Sequence, residues 1–290
     1  MSDTLHDADI PRVAFQGEPG AYAHLSIRET MPNAVAIPKP SFDDAVRAVR
    51  DGEADRALIP IENSLHGRIA DIHRLLPDAG LYIIGEYFHR VRHQLLGVPG
   101  ATTGGIKTVF SQAPALGQCR RIIGENKWTE QNWYDTAGSA RHVAELNDTS
   151  VAAIASSLAA ELYGLEILQS DIEDETHNMT RFLVMSREPG PAPADGTPVM
   201  TTFIFRVRNV PAALYKALGG FATNGVNITK LESYQLGGSF NASQFYVDVE
   251  GRPEERRVQL ALEELQFFAS RLTVLGVYPA HPLRAELPAG

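Results

Sequence analysis

The 290-residue chain has a single cysteine, Cys119, so no disulfide forms within it, and no apolar run approaches the roughly 20 residues that a membrane span needs. Basic residues are in the minority. Lys and Arg number 26 against 35 Asp and Glu, a formal charge of -9, which argues against a surface built for nucleic acid or an anionic membrane. A negatively charged ligand would need a locally positive pocket. The first residues are acidic and lack an apolar signal core, so the expected location is the cytoplasm. Nucleotide signatures are missing too. Gln16-Gly17-Glu18-Pro19-Gly20 follows an apolar run, but Pro19 and the absent third glycine spoil a dinucleotide loop, and no nucleotide cofactor is expected. No metal is expected either: His89 and His93 are four apart but alternate with Arg90 and Arg92 and have no carboxylate at ligand spacing, which reads as a solvated basic edge.

What the chain does have is a regular alternation of short apolar runs and amphipathic stretches. Residues 13–15, 35–37 and 56–61 read as strands and 21–30 as a helix, while Ser41-Phe42-Asp43-Asp44 caps a helix running to Arg50. A second series follows, with strands at 81–84, 94–98, 108–110, 132–134, 151–155 and 165–168 and helices at 113–123, 139–146 and 158–163. The expectation is an α/β region of two lobes around a cleft. Residues 188–198 then hold four prolines and two glycines and read as a linker. Beyond it come strands at 201–207, 228–236, 242–249 and 272–278, with helices from Pro211 to about Gly225 and at 254–269. This βαββαβ order is the ferredoxin-like plan.

Three apolar runs end at small hydroxyl or amide residues where a helix is expected to begin: Pro60-Ile61-Glu62-Asn63-Ser64, Phe110-Ser111-Gln112-Ala113-Pro114, and Tyr134-Asp135-Thr136-Ala137-Gly138-Ser139. Free backbone N–H groups at such starts can hold a carboxylate, although ordinary capping accounts for any one of them alone. Asn178-Met179-Thr180-Arg181-Phe182 adds an amide, a hydroxyl and a guanidinium at the mouth of the apolar strand Leu183-Val184-Met185, which suits a small anionic ligand better than packing does. Cys119, inside the 113–123 helix, reads as a buried apolar group, and Glu173-Asp174-Glu175-Thr176-His177 as a solvated acidic loop.

These motifs carry a resemblance. Gln16 to Tyr22, Ile59-Pro60-Ile61-Glu62-Asn63-Ser64 with Gly67, Ala115-Leu116-Gly117-Gln118-Cys119, Ala152 to Ser156 with Ala160 to Leu165, and Ile172-Glu173-Asp174 with Asn178 and Thr180-Arg181-Phe182 are similar, in order and spacing, to the monofunctional prephenate dehydratases. Those proteins carry a catalytic region followed by an ACT regulatory domain. The resemblance covers nearly all of 12–278. It implies a two-lobed, periplasmic-binding-protein-like catalytic region over 1–187, with lobe one at about 12–80 plus 180–187 and lobe two at about 81–179. It also implies an ACT domain at 199–280 and a tail at 281–290, and no helical mutase domain in front.

By the same resemblance Thr180 is the residue tied to catalysis, and Glu62, Asn63, Ser111 and Gln118 line the substrate cleft. The reaction implied removes carbon dioxide and water from prephenate to give phenylpyruvate, without a cofactor. Thr180 is expected to donate a hydrogen bond to the departing oxygen, with Glu62, Glu175 or His177 completing a relay. Arg181 and the turns at Ser64, Ser111 and Thr136 are expected to hold the two carboxylates, with Asn178 and Phe182 beside them. Phenylalanine is the effector implied, at Ala213, Leu214, Asn227, Glu232 and Ser233, in a homodimer or homotetramer. The sequence departs from the family at Ala212, where a glycine is usual, and at Tyr234-Gln235, where Arg-Pro is usual. The alternatives left open are arogenate as substrate, a non-catalytic solute or amino-acid sensor, and an ACT-like domain that only dimerises.

Overall fold

The computed structural model describes residues 10–191, 193–207, 210–235 and 242–286. In chain order the elements are β1 (Arg12–Gln16), α1 (Tyr22–Thr30), β2 (Val35–Lys39), α2 (Phe42–Arg50), β3 (Arg56–Asn63), β4 (Gly67–Arg68), α3 (Ala70–Leu75), β5 (Tyr82–Arg90), β6 (Gln94–Gly97), β7 (Thr108–Ser111), α4 (Ala113–Gly117), α5 (Arg120–Asn126) and β8 (Thr129–Asn132). They continue as α6 (Thr136–Leu146), β9 (Val151–Ala155), α7 (Ser157–Tyr163), β10 (Glu166–Gln169), β11 (Met179–Ser186), β12 (Val199–Val207), α8 (Ala213–Thr223), β13 (Ile228–Gln235), β14 (Ala242–Glu250), α9 (Arg256–Phe268), β15 (Ala269–Pro279) and α10 (Leu283–Glu286). The chain forms two compact units, 1–67 with 88–182 and 68–87 with 183–290.

In the first unit β1 lies parallel between β2 and β3, in a sheet of order β2-β1-β3-β11-β5. The β2-to-β3 crossover is made by α2. Ser41 accepts the Asp44 N–H at its start, and Ala45, Val46, Ala48 and Val49 form its buried stripe, leaving Arg47 and Arg50 for the last turn. A second sheet runs β10-β6-β9-β7-β8 over its own core of Leu95, Leu96, Val109, Leu116, Ile122, Trp128 and Ile154. The chain passes between the sheets at 91–93 and again at 170–178. The Val91 N–H donates to Asn178 O at 2.8 Å and the Ile172 N–H to His93 O at 2.9 Å, so the two crossings lie side by side. Gly20 sits at φ +92°, and a Cβ there would stand 2.9 Å from Ala159 Cα, so only glycine lets the 17–20 turn press onto α7.

Some expected elements are moved. The 113–123 helix is broken into α4 and α5 at Gln118-Cys119, where Cys119 takes a non-helical backbone and Gln118 O accepts the Asp174 N–H at 2.6 Å. The expected 132–134 strand lies earlier, as β8. Its residues are polar and exposed, whereas Trp133 leaves the strand to stack on His142 with ring centroids 4.2 Å apart. No helix begins after Ser64; the next one is α3, at Ala70. The strand expected at Leu183 starts at Met179 and so contains the Thr-Arg-Phe motif itself.

In the second unit, β12-α8-β13-β14-α9-β15 forms an antiparallel sheet of order β13-β14-β12-β15. Phe203, Phe205, Phe245 and Val247 of the sheet pack against Ala217, Phe221, Val258 and Leu265 of the helices, which puts both helices on one face and matches the expected ferredoxin-like plan. The Gly-Gly turn expected at 237–238 lies outside the described residues. Within the expected linker, Pro193 and Ala194 are held by Arg252, whose Nη2 donates to their carbonyls at 2.8 and 2.7 Å.

Pro211 precedes α8 instead of sitting in its first turn, because Ala212 is the N-cap and takes a left-handed conformation, φ +61°. The backbone keeps the geometry that suits a glycine although the side chain is alanine. Ala212→Gly is expected to raise stability by about 1 kcal/mol, the left-handed penalty of a Cβ, less glycine's extra unfolded-state entropy. The melting temperature is the measurement, and a drop would contradict the argument.

Candidate active site

Where the two crossings meet, the ends of β3 and β11 are tied by Ser64. Its N–H donates to Met179 O at 2.8 Å, its hydroxyl donates to His177 O at 2.8 Å, and the Met179 N–H donates back to the Ser64 hydroxyl at 2.9 Å. Asn63 then stands opposite Asn178 and Thr180. Its carbonyl oxygen accepts the N–H groups of Leu65 and His66, which turns its Nδ2 toward Asn178 Oδ1 at 2.7 Å and Thr180 Oγ1 at 3.0 Å. Both amide hydrogens of Asn63 are therefore committed, and Thr180 is an acceptor in that bond. Among the described residues its own hydroxyl hydrogen goes to no protein group.

The break between α4 and α5 brings Gln118 into the same cluster. Its Oε1 accepts from Asn178 Nδ2 at 2.8 Å and lies 2.6 Å from His93 Nε2, and its Nε2 donates to His66 Nε2 at 2.7 Å. His93 Nδ1 is 2.7 Å from the Tyr22 hydroxyl, and the His93 N–H donates to Glu173 Oε2 at 2.9 Å. Asn178 and His93 are 1% and 2% exposed. Burial pulls the His93 pKa below the usual histidine range, against the Gln118 bond and the Glu173 charge, and it pushes the Tyr22 phenol well up. Both are neutral near pH 7, so the cluster is a dense set of oriented dipoles.

Other expected site residues lie elsewhere. Side chains alternate along a strand. Accordingly Glu62 and Arg181 lie on the face opposite Asn63 and Thr180, where Arg181 Nη1 meets Glu62 Oε1 at 3.0 Å and the guanidinium lies 6.0 Å from the Phe88 ring centre. Arg181 is 2% exposed, and its charge is engaged by the half-buried Glu62 carboxylate. Phe182 is in the core. The Ser111 hydroxyl is fully buried and donates to Ile154 O at 2.7 Å. Thr136 opens α6, whose start is already met by the Asp135 carboxylate, an acceptor for the Gly138 N–H at 2.6 Å. Burial raises the Asp135 pKa, and nearby Glu18 adds to this, so a further carboxylate is poorly placed there. Glu175 and His177 are exposed and face each other at 3.6 Å.

Four members of the cluster were not expected from sequence: Tyr22, His66, His93 and Glu173. His89 and His93 are buried, not solvated, with His89 Nδ1 2.9 Å from Glu29 Oε2, and Glu173 is buried beneath His93 instead of lying in a solvated loop. Cys119 is buried as expected, and burial raises its pKa.

In the second unit, Ala213 and Leu214 are half-buried at the start of α8 and Asn227 is exposed before β13. Glu232 pairs with Lys230 at 3.2 Å and Arg68 at 3.7 Å, and Ser233 O accepts from Arg68 Nη1 at 2.8 Å.

Two histidines, His93 buried and His24 half-buried, set a pH dependence. His24 and His93 both have folded-state pKa values lowered mainly by burial, so below the usual value of 6.5 the unfolded chain binds more protons than the folded one. Stability is full above pH 6.5 and falls as the pH drops through 6.5 toward the folded values. Melting temperatures recorded from pH 7.5 to 5 are expected to decline, and a flat profile would contradict this.

Comparison with known proteins agrees with the geometry. The family model described as prephenate dehydratase matches residues 13–190. The chain is 51% identical over 274 residues to a bifunctional N-acyl-homoserine lactone acylase/prephenate dehydratase of Komagataeibacter europaeus, covering 94% of this chain and 98% of that protein. It is 38% identical over 288 residues to the chloroplastic arogenate dehydratase/prephenate dehydratase 2 of Arabidopsis thaliana, covering 96% and 75%. A crystal structure of prephenate dehydratase in complex with L-Phe from Arthrobacter aurescens superposes with a TM-score of 0.85 at 30% identity, covering 96% and 92% of the two chains. With the family model spanning more than half of its length and these relatives matching it nearly end to end, the chain belongs to the prephenate dehydratase family.

Proposed function

We propose that this chain dehydrates and decarboxylates prephenate at the cluster of Asn63, Gln118, Asn178 and Thr180. As the ring carboxylate leaves as carbon dioxide, its bonding electrons move through the ring and expel the hydroxyl at the far carbon. That hydroxyl takes one proton and departs as water, and the products are phenylpyruvate, carbon dioxide and water. Aromatisation drives the step, so the protein needs orientation and a hydrogen bond to the departing oxygen more than it needs a strong acid. The observation that carries this reading is the direction of the bonds at Asn63: Thr180 accepts there, so its own hydrogen is available to the departing oxygen. The remaining N–H of Gln118, with exposed His66 beside it, suits a substrate carboxylate. The test is to mix protein and prephenate at neutral pH and follow the phenylpyruvate enolate after adding base; decay at the spontaneous rate would end the reading. Side-by-side kcat/KM values on arogenate settle the substrate's amino or keto group.

The βαββαβ segment is, on this reading, an ACT regulatory domain at 199–280 with phenylalanine as effector near Ala213, Leu214, Asn227, Glu232 and Ser233. The L-Phe in the Arthrobacter structure supports the ligand. The edge strand β13 supports self-association, since among the described residues it pairs with β14 alone and it alternates half-buried and exposed residues. Titrating phenylalanine against activity tests the effector, and sedimentation tests the dimer or tetramer.

The name of the Komagataeibacter relative brings a second reading, hydrolysis of N-acyl-homoserine lactones by the same chain. Mass spectrometry of released homoserine lactone decides it.

A further inference from the structure

The Gln118 amide can sit either way round in the same space, and only one way presents N–H groups to an anionic substrate. Its neighbours decide between the two. Asn178 Nδ2 needs an acceptor and meets Gln118 Oε1. The second contact to that oxygen is His93 Nε2, at 2.6 Å, and an imidazole nitrogen can either donate or accept. The tautomer turns on where the Tyr22 hydrogen goes on the far side of the ring. The Tyr22 hydroxyl has one hydrogen and two acceptors in reach, His93 Nδ1 at 2.7 Å and Arg92 O at 3.1 Å; given to the nearer one, Nδ1, it leaves the ring proton on Nε2, as the Gln118 oxygen on the other side requires. The ring is held in that plane by the Tyr22 ring, 5.5 Å away and edge-on, and by the bond from the His93 backbone to Glu173.

We propose that Tyr22 and His93 are positioning residues for the reaction: the Tyr22 hydroxyl fixes His93 as the Nε2–H tautomer, and His93 fixes the Gln118 amide with its oxygen inward and its remaining N–H toward the substrate. The proposal rests on the site assigned above. It gives a task to a buried histidine and a half-buried tyrosine that lie outside the Thr-Arg-Phe and Glu-Asn motifs. With the other tautomer, Nε2 would call for a donor, and Gln118 would turn over. Its Nε2 would then face Asn178 Nδ2, donor against donor, and the Asn178 amide could follow only by setting a second such clash against Asn63. Burial keeps the imidazole neutral, as the arrangement requires.

The experiment has two arms on the full-length protein. The first records long-range proton–nitrogen correlations of the histidine side chains, which distinguish the tautomers without any catalysis. The wild type is expected to show Nε2–H at His93, and Tyr22→Phe a shift toward Nδ1–H. The second compares kinetics on prephenate. Tyr22→Phe is expected to lose about tenfold in kcat/KM, the effect of one misdirected hydrogen bond. His93→Gln, which can still offer an N–H to Gln118, is expected to stay within about threefold of wild type, and His93→Leu to fall at least as far as Tyr22→Phe. An Nδ1–H tautomer in the wild type, an unchanged kcat/KM in Tyr22→Phe, or equal losses in the glutamine and leucine variants would overturn the proposal. If Tyr22→Phe does not fold, the His93 pair and the wild-type tautomer still decide it. Wild-type protein inert toward prephenate would instead overturn the functional assignment, and the tautomer result would stand apart from that failure.

Discussion

Thr180→Val is expected to lower kcat by a factor of about 10² to 10³ while KM stays within about threefold, the range for removing one preorganised donor to developing negative charge. The reasoning starts at Asn63. Because its oxygen is held by the Leu65 and His66 N–H groups, Asn63 can only donate to Thr180, and the threonine hydrogen is left for the substrate. A hydroxyl donates weakly to the neutral C–OH of the ground state and strongly to the same oxygen as it leaves with charge, so the loss falls on kcat. Valine keeps the shape of the side chain, and the half-buried position lets water take the freed Asn63 hydrogen, so folding is little affected. Asn63→Asp provides an independent check. A carboxylate at that position is an acceptor only, so Thr180 would turn its hydrogen inward and kcat should drop although Thr180 is present. Steady-state release of phenylpyruvate measures both, and a Thr180→Val enzyme with the parental kcat would remove this hydroxyl from the mechanism.

Much of this arrangement was legible in the residues themselves. The Ser41 cap and the apolar stripe of α2, and the strand–helix order after residue 198, were sufficient for the parallel crossover and the ferredoxin-like unit. Other features follow rules that the sequence displays but that are easily passed over. His89, Val91 and His93 are buried while Arg90 and Arg92 are exposed, a period of two that marks the histidines as inward-facing. The same period separates Thr180 from Arg181 and Asn63 from Glu62, so adjacent motif residues serve opposite faces of one sheet. The break at Gln118 is different in kind. Gly117, the last residue of α4, weakens the helix locally, but the break is fixed by distant partners, Asp174 on the Gln118 carbonyl and His93, Asn178 and His66 on its side chain. No local pattern encodes contacts between residues that lie 25 to 60 positions apart.

Arg284→Met is expected to cost about 3 kcal/mol of stability, toward the low end of the range for stripping one partner from a buried ion pair. Arg284 binds Glu86 in a two-pronged contact, Nε to Oε1 at 2.6 Å and Nη2 to Oε2 at 2.9 Å, and the Glu86 side chain is completely buried. The His281 N–H also donates to Glu86 Oε1 at 3.0 Å, which softens the loss when the guanidinium is removed but cannot neutralise the carboxylate. At roughly 2–4 °C per kcal/mol for a chain of this size, the melting temperature should fall by about 6–12 °C. Replacing both partners with leucine is expected to recover most of that, because two apolar side chains have no charge to desolvate. The location gives the pair its interest. Glu86 is on β5, the neighbour of the Thr180 strand β11 in the sheet, and Arg284 follows the last strand of the ferredoxin-like unit. Hydrogen exchange of the β5 amides in Arg284→Met should therefore accelerate along with the drop in melting temperature. Unchanged melting would mean that Glu86 finds equal compensation elsewhere, and the Arg284 contact would lose its structural role.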